Sequence, residues 1–126
     1  MIRRAAMKPA QSQIKADLAF RAFSDRTRLR ILHLLLDGEL CVGDLVSILK
    51  TPQPTASRHL AYLRKANLVT TRSRGAWTFY ALAPARNAFH KKLLACLAQC
   101  FTELDEIAAD RSKAKKVKRS GGCCPR

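Results

Sequence analysis

Cys96 and Cys100 stand four residues apart in the stretch LLACLAQC, residues 93–100. On a helix, thiols at i and i+4 share one face with Cβ atoms roughly 5–6 Å apart, close enough for both sulfurs to reach one small ion after rotamer adjustment. Cys41 lies far upstream, and Cys123 and Cys124 follow a Gly-Gly pair near the end of the chain. Five cysteines, an odd number, in a reducing compartment point to packing, metal-binding or redox groups rather than structural disulfides. Packing is the plainer alternative for the pair, because free cysteine is among the most buried residue types and LLACLAQC is apolar. Basic surroundings favour reactivity, since positive potential lowers a thiol pKa and raises the thiolate fraction.

Those surroundings are strongly basic. The 126 residues include 24 Lys and Arg against nine Asp and Glu, a formal charge of +15, so a polyanion is the expected partner: each phosphate neutralised releases condensed counterions. From Leu45 to Thr102 there is no acidic residue, while Arg58, Arg64, Lys65, Arg72 and Arg74 all fall inside that span. Residues 111–126 carry seven more basic groups and no acid, so the tail is not the sole source of the charge. The length suits one core. The expected division is a domain over 1–110 and a basic, Cys-ending flexible tail over 111–126. No apolar run reaches the roughly 18 residues of a membrane span, and MIRRAAMKPAQSQIK lacks the apolar segment of a secretory signal, so the expectation is a cytoplasmic protein with no membrane partner.

The elements that must position these groups are mainly helical. Ile14, Leu18 and Phe23 give a first helix within 10–23. Asp25 is a fair N-cap for a second, with Leu29, Leu32 or His33, and Leu36 inward and Asp37-Gly38 as its stop. A third runs from Val42 to Leu49. Lys50-Thr51-Pro52-Gln53-Pro54 reads as a turn, because prolines deny backbone donors. A fourth helix runs from Thr55 to Ala66, with Asn67 a left-handed cap. LVTTRSRGAWTFYALAP then reads as a β-hairpin with Ser73-Arg74-Gly75 at its tip. A last helix is expected from after Pro84 to about Asp110, carrying Phe89, Leu93, Cys96 or Leu97, Cys100, Leu104 and Ile107 as one stripe.

Two helices joined by a short turn and followed by a hairpin make a winged helix-turn-helix, mainly α with a β-hairpin wing. On a helical wheel Ala56, Leu60 and Leu63 fall inward, while Thr55, Arg58 and Tyr62 lie opposite with His59 at the margin. Arg58 suits bidentate bonding to guanine, and Thr55, Gln53 and Ser57 suit bases or phosphates near the helix start. Arg72 and Arg74 would lie along the flanking backbone or minor groove. His59 reads equally as a contact or as a hydrogen-bonded packing residue.

The order of D-x-T-R, E-L-C-V-x-D-L, Q-P-x-x-S-R-H-L and R-x-G-x-W-x-x-Y across residues 24–84 resembles the winged-helix core of the ArsR/SmtB family of bacterial metalloregulatory repressors, closest to its arsenic- and antimony-responsive type. The resemblance implies a homodimer joined through the first and last helices, bound to double-stranded operator DNA and released by an inducer, and it implies no enzymatic activity. A two-fold operator calls for a two-fold protein on physical grounds as well.

Arsenic-sensing members carry E-L-C-V-C-D-L, with two thiols at the start of the third helix. Here Cys41 fills the first slot and Gly43 the second, so the usual site cannot form as such. Trivalent arsenic and antimony are soft and prefer about three thiolates. Cys96, Cys100, Cys41, Cys123 and Cys124 are the candidate ligands, and Cys100 falls where some relatives place a cysteine in the last helix. The alternative within the same fold is a thiol-based persulfide- or redox-sensing repressor that pairs Cys41 with Cys96 or Cys100. Zinc-sensing relatives use His and carboxylate pairs, whereas His90 and Glu103 lack the right spacing. A thiol-dependent arsenate reductase would need a Gly-rich strand-to-helix turn beside a cysteine, which is absent.

Overall fold

The computed structural model describes residues 14–122. Helix α1 (Ala16–Phe23) buries Ala19 and Ala22. Helix α2 (Arg26–Leu34) begins where Asp25 Oδ1 accepts the Arg28 N–H at 2.9 Å, satisfying one of the orphan donors of a first turn. It tightens into a 3-10 turn (Leu35–Asp37) that ends at Gly38, whose φ of 127° favours a residue without Cβ. Strand β1 (Leu40–Cys41) leads directly into α3 (Val42–Leu49), where the Cys41 side chain accepts from Asp44 N–H and left-handed Lys50 closes the other end.

Helix α4 (Gln53–Lys65) starts earlier than the expected turn allows. Pro52 is its N-cap and Pro54 sits in its first turn, where a missing N–H has no intrahelical partner to lose. The two prolines therefore set the start of the helix, and Gln53 belongs to it. Asn67 takes the expected left-handed conformation, with φ 62°. Strands β2 (Val69–Arg74) and β3 (Trp77–Leu82) pair antiparallel from Val69↔Leu82 to Arg74↔Trp77, placing Arg74 at the last rung before the turn. On the other edge of β3, Leu40 pairs with Tyr80 and Cys41 with Phe79, giving the order β1-β3-β2. A two-residue strand is too short for an alternation pattern, so β1 leaves no signature in the sequence.

The last helix is two helices. Asn87 caps α5 (Ala88–Cys100), its side chain accepting from His90 N–H at 2.8 Å, and after Phe101 the backbone turns back into α6 (Asp105–Arg119). Asp105 and Glu106 suit the positive end of the new helix dipole. The single stripe is therefore divided: Leu93 and Leu97 are buried on α5, Leu104 is 40% exposed in the turn, and Ile107 is buried on α6. Residues 111–119, expected in a flexible tail, are helical. Ala114 is buried there, Val117 packs on the core, and Lys118 Nζ donates to the Asp37 carbonyl at 3.0 Å. These contacts supply the tertiary support that an isolated basic helix lacks.

Helices α2 and α3 each pack against both α4 and α6. The four form a ring with α4 and α6 at opposite corners, around a core that includes Ile31, Leu45, Ile48, Leu60 and Leu63. Among the described residues no helix is long and apolar enough to cross a membrane.

Candidate nucleic-acid interface and thiol pair

The outer arc of α4 is formed by Gln53, Ser57, Arg58, Ala61, Arg64 and Lys65, all exposed. Ser57, Ala61, Arg64 and Lys65 line, with Tyr80 of β3, an open groove of about 430 Å³ between helix and wing. Thr55, His59 and Tyr62 are half-buried on the flank facing α2, so the exposed arc is centred away from the position that the wheel gave it. The His59 Nδ1 lies 3.9 Å from Asp25 Oδ1, and the Arg28 guanidinium stacks 4.2 Å above the centre of the Tyr62 ring. Helix α2 claims that flank because its capping Asp25 and first-turn Arg28 reach across to it. The helical wheel does not single out Arg64 and Lys65 as DNA contacts; their place within the acid-free span is the signal that could have found them.

The two wing arginines differ. Arg74 is exposed at the tip, opposite Trp77. Arg72 lies over the Phe79 ring, 4.6 Å from its centre, and its Nε donates to both Glu39 oxygens at 3.0 and 2.8 Å while Nη2 also donates to Oε1. The hydrogen-bonded carboxylate holds the Arg72 pKa above its already high ordinary value. Arg72 thus meets a carboxylate in the free protein where the sequence suggested a phosphate.

Cys96 is half-buried and Cys100 exposed, both as free thiols on the same face of α5. The neighbouring Cys100 thiol, followed by burial, pushes the Cys96 pKa up. For Cys96 the direction is opposite to the lowering expected from the basic surroundings. Among the described residues no group of three or more His, Cys, Asp and Glu side chains converges as a metal site, so Cys41 does not join the pair. Cys41 is 1% exposed against Phe79 and is disulfide-bonded, where the sequence argued against structural disulfides, and its partner is neither Cys96 nor Cys100, which are free. Cys123 and Cys124 lie outside the described residues.

His33 and His90 are core residues, 4% and 0% exposed. Burial lowers both pKa values, helped by Arg111 at His33 and Arg86 at His90.

A helix-turn-helix whose second helix presents a cationic arc beside a β-hairpin wing defines a winged-helix DNA-binding protein. The profile of bacterial regulatory proteins of the arsR family matches residues 25–71. The arsenical resistance operon repressor of Escherichia coli K12 is 42% identical over 85 residues, 67% of this chain and 73% of that protein. The arsenic resistance transcriptional regulator ArsR2 of Pseudomonas putida is 32% identical over 108 residues, covering 83% and 94%. Among solved structures, HlyU from Vibrio cholerae superimposes with a TM-score of 0.62 at 35% identity, over 77% of this chain and all of that one. The chain belongs to the ArsR family, which places it among DNA-binding transcriptional repressors rather than enzymes.

Proposed function

We propose that this protein is a cytoplasmic, homodimeric repressor of a metalloid-resistance operon, released from its operator when cysteine thiolates bind trivalent arsenic or antimony. The single observation that carries the inducer reading is the pair of free thiols, Cys96 and Cys100, one turn apart on α5. Two adjacent thiols supply two of the roughly three sulfur ligands that such a soft ion prefers, with Cys123 or Cys124 as the third. Relatives named for arsenical resistance agree with it.

Operator contact falls to Gln53, Ser57, Arg58, Arg64 and Lys65 on α4 and to Arg74 on the wing. Thr55, His59 and Tyr62 contribute from the flank, and Arg72 joins once it leaves Glu39. Dimerisation falls to α1 and α5, where Phe20 is 58% exposed and meets Phe89 edge-on with ring centres 5.7 Å apart. A second copy covering that patch gives one recognition helix per half-site. Because α5 would carry both thiols and dimer contacts, ligation there shifts the spacing of the recognition helices. A coupling of about 1–3 kcal/mol weakens operator binding about 5- to 150-fold.

The test is an operator gel shift under arsenite, antimonite and methylated arsenite. Cys96→Ser with Cys100→Ser should leave apo affinity near wild type and abolish release. Release that persists in the double variant removes the pair from the sensing site.

The disulfide at Cys41 favours a second reading, a repressor that senses persulfides or oxidants through its thiols. Under it, Cys41→Ser loses the response to persulfide while metalloids leave the wild-type complex intact.

A further inference from the structure

We infer that the outer face of α6 is a second DNA-binding surface, which grips the phosphate backbone of a duplex other than the one read by α4. The inference rests on the DNA-binding reading of α4 and extends it to a protein that holds two DNA segments together.

Helix α6 is fixed in orientation. Arg26 pairs with Glu106, Arg30 clasps Asp110 through two hydrogen bonds of 2.8 and 2.9 Å, and Lys118 holds the Asp37 carbonyl. Asp110, Ile107 and Ala114 are buried beneath. The opposite face carries Arg111, Lys115 and Arg119 one turn apart, with Lys116 beside them, all exposed. Among the described residues none of these four cations has a carboxylate within ion-pair distance. Arg111 and Lys115 also line, with Thr102, Ala108 and Ser112, a shallow cavity of about 270 Å³. Two cations and two hydroxyls around one hollow suit a phosphate oxygen set.

Favourable interaction with the helix dipole accounts for the cations of the last turn but not for Arg111, Lys115 and the hydroxyls farther up. An acidic protein partner is disfavoured because the face has no aromatic or large apolar anchor, and Lys is depleted at protein interfaces. A Lys- and Arg-rich face without acids is instead the footprint of nucleic acid. The ring of helices decides which duplex. Helix α6 packs on α2 and α3 rather than on α4, so its outer cations stand off the recognition helix and suit a backbone other than the one that α4 reads.

The experiment uses the full chain and a duplex that the protein itself enriches from a randomised pool. That duplex is immobilised, loaded with protein and offered a labelled duplex of unrelated sequence. Wild type should capture the second duplex. The variant R111Q/K115Q/K116Q/R119Q should hold the immobilised duplex within about two-fold of wild type, lose capture by about ten-fold or more, and flatten the salt dependence of capture by about 3 to 4 log-log units. Lys115→Glu alone gives the same ordering if the quadruple variant precipitates. No capture by wild type, equal losses in both assays, or better capture of polyglutamate than of DNA overturns the proposal. Failure of the α4 reading shows separately: an Arg58→Ala, Arg64→Ala variant would then hold the immobilised duplex as tightly as wild type, making α6 the primary DNA face and overturning the two-duplex geometry.

Discussion

Glu39, one residue before β1, holds Arg72 of β2 across the intervening strand β3, and both Glu39 oxygens accept from the same guanidinium while it lies on the Phe79 ring. A phosphate that recruits Arg72 must first displace this carboxylate. Glu39→Gln keeps the shape and removes the competing charge, so it should tighten binding to unrelated duplexes and steepen the log-log salt slope by about one. Arg72→Ala should then abolish the gain. Fluorescence anisotropy across a salt series measures both, and an unchanged slope in Glu39→Gln means that Arg72 makes no phosphate contact.

Arg58 and Arg64 separate base reading from backbone attraction. Arg58→Ala should weaken specific binding by about 1–3 kcal/mol and relax the sequence preference, as for a lost bidentate base contact. Arg64 lines the groove between α4 and β3, a position expected to contact backbone phosphate rather than a base edge. Arg64→Gln should weaken all sequences alike and lower the salt slope by about one. Competition titrations with the selected and a scrambled duplex distinguish these outcomes.

The winged fold is legible in the sequence because its signals are local. The Asp25 cap, the apolar spacing of Ala56, Leu60 and Leu63, the left-handed Asn67 and the aromatic, β-branched strands flanking Gly75 each fix a stretch of chain without help from distant residues. What the sequence hides depends on contacts across the chain. The partners Arg30 and Asp110 stand 80 residues apart, as do Arg26 and Glu106, and nothing in the basic run after Asp110 announces that it packs on α2 and α3. The recognition arc is displaced for a related reason. Thr55, His59 and Tyr62 are polar enough to read as solvent-facing, and only the presence of Asp25 and Arg28 opposite them reveals a second packing surface on α4.

The Arg30–Asp110 clasp should be asymmetric under mutation. Asp110 is 2% exposed, so Arg30→Ala strands a buried carboxylate and should cost about 3–5 kcal/mol, or as much as docking of α6 is worth if that helix detaches first. Arg30 is partly exposed and can turn to water, so Asp110→Ala should cost less. Urea unfolding measures the difference, and limited proteolysis after Arg111 reports detachment. Equal losses in the two variants would mean that the pair contributes through packing alone.

His33 and His90 give stability a pH dependence whose sign follows from burial. Both are held below the ordinary 6.5, so the folded chain binds fewer protons than the unfolded chain once pH falls under that value. Their contribution is therefore complete above about pH 6.5, and it is lost as the pH falls through 6.5 toward the lower folded-state values. The slope is at most about 1.4 kcal/mol per pH unit for each histidine. Among the described residues no ring nitrogen of either histidine has a hydrogen-bond partner, so an apolar side chain of similar size forfeits nothing but the proton linkage. His33→Leu with His90→Leu should be neutral or stabilising at pH 7.5 and should unfold in urea with a midpoint that changes less between pH 7.5 and 5.5 than that of wild type. If the double variant keeps the wild-type pH slope, the acid sensitivity resides outside these two histidines.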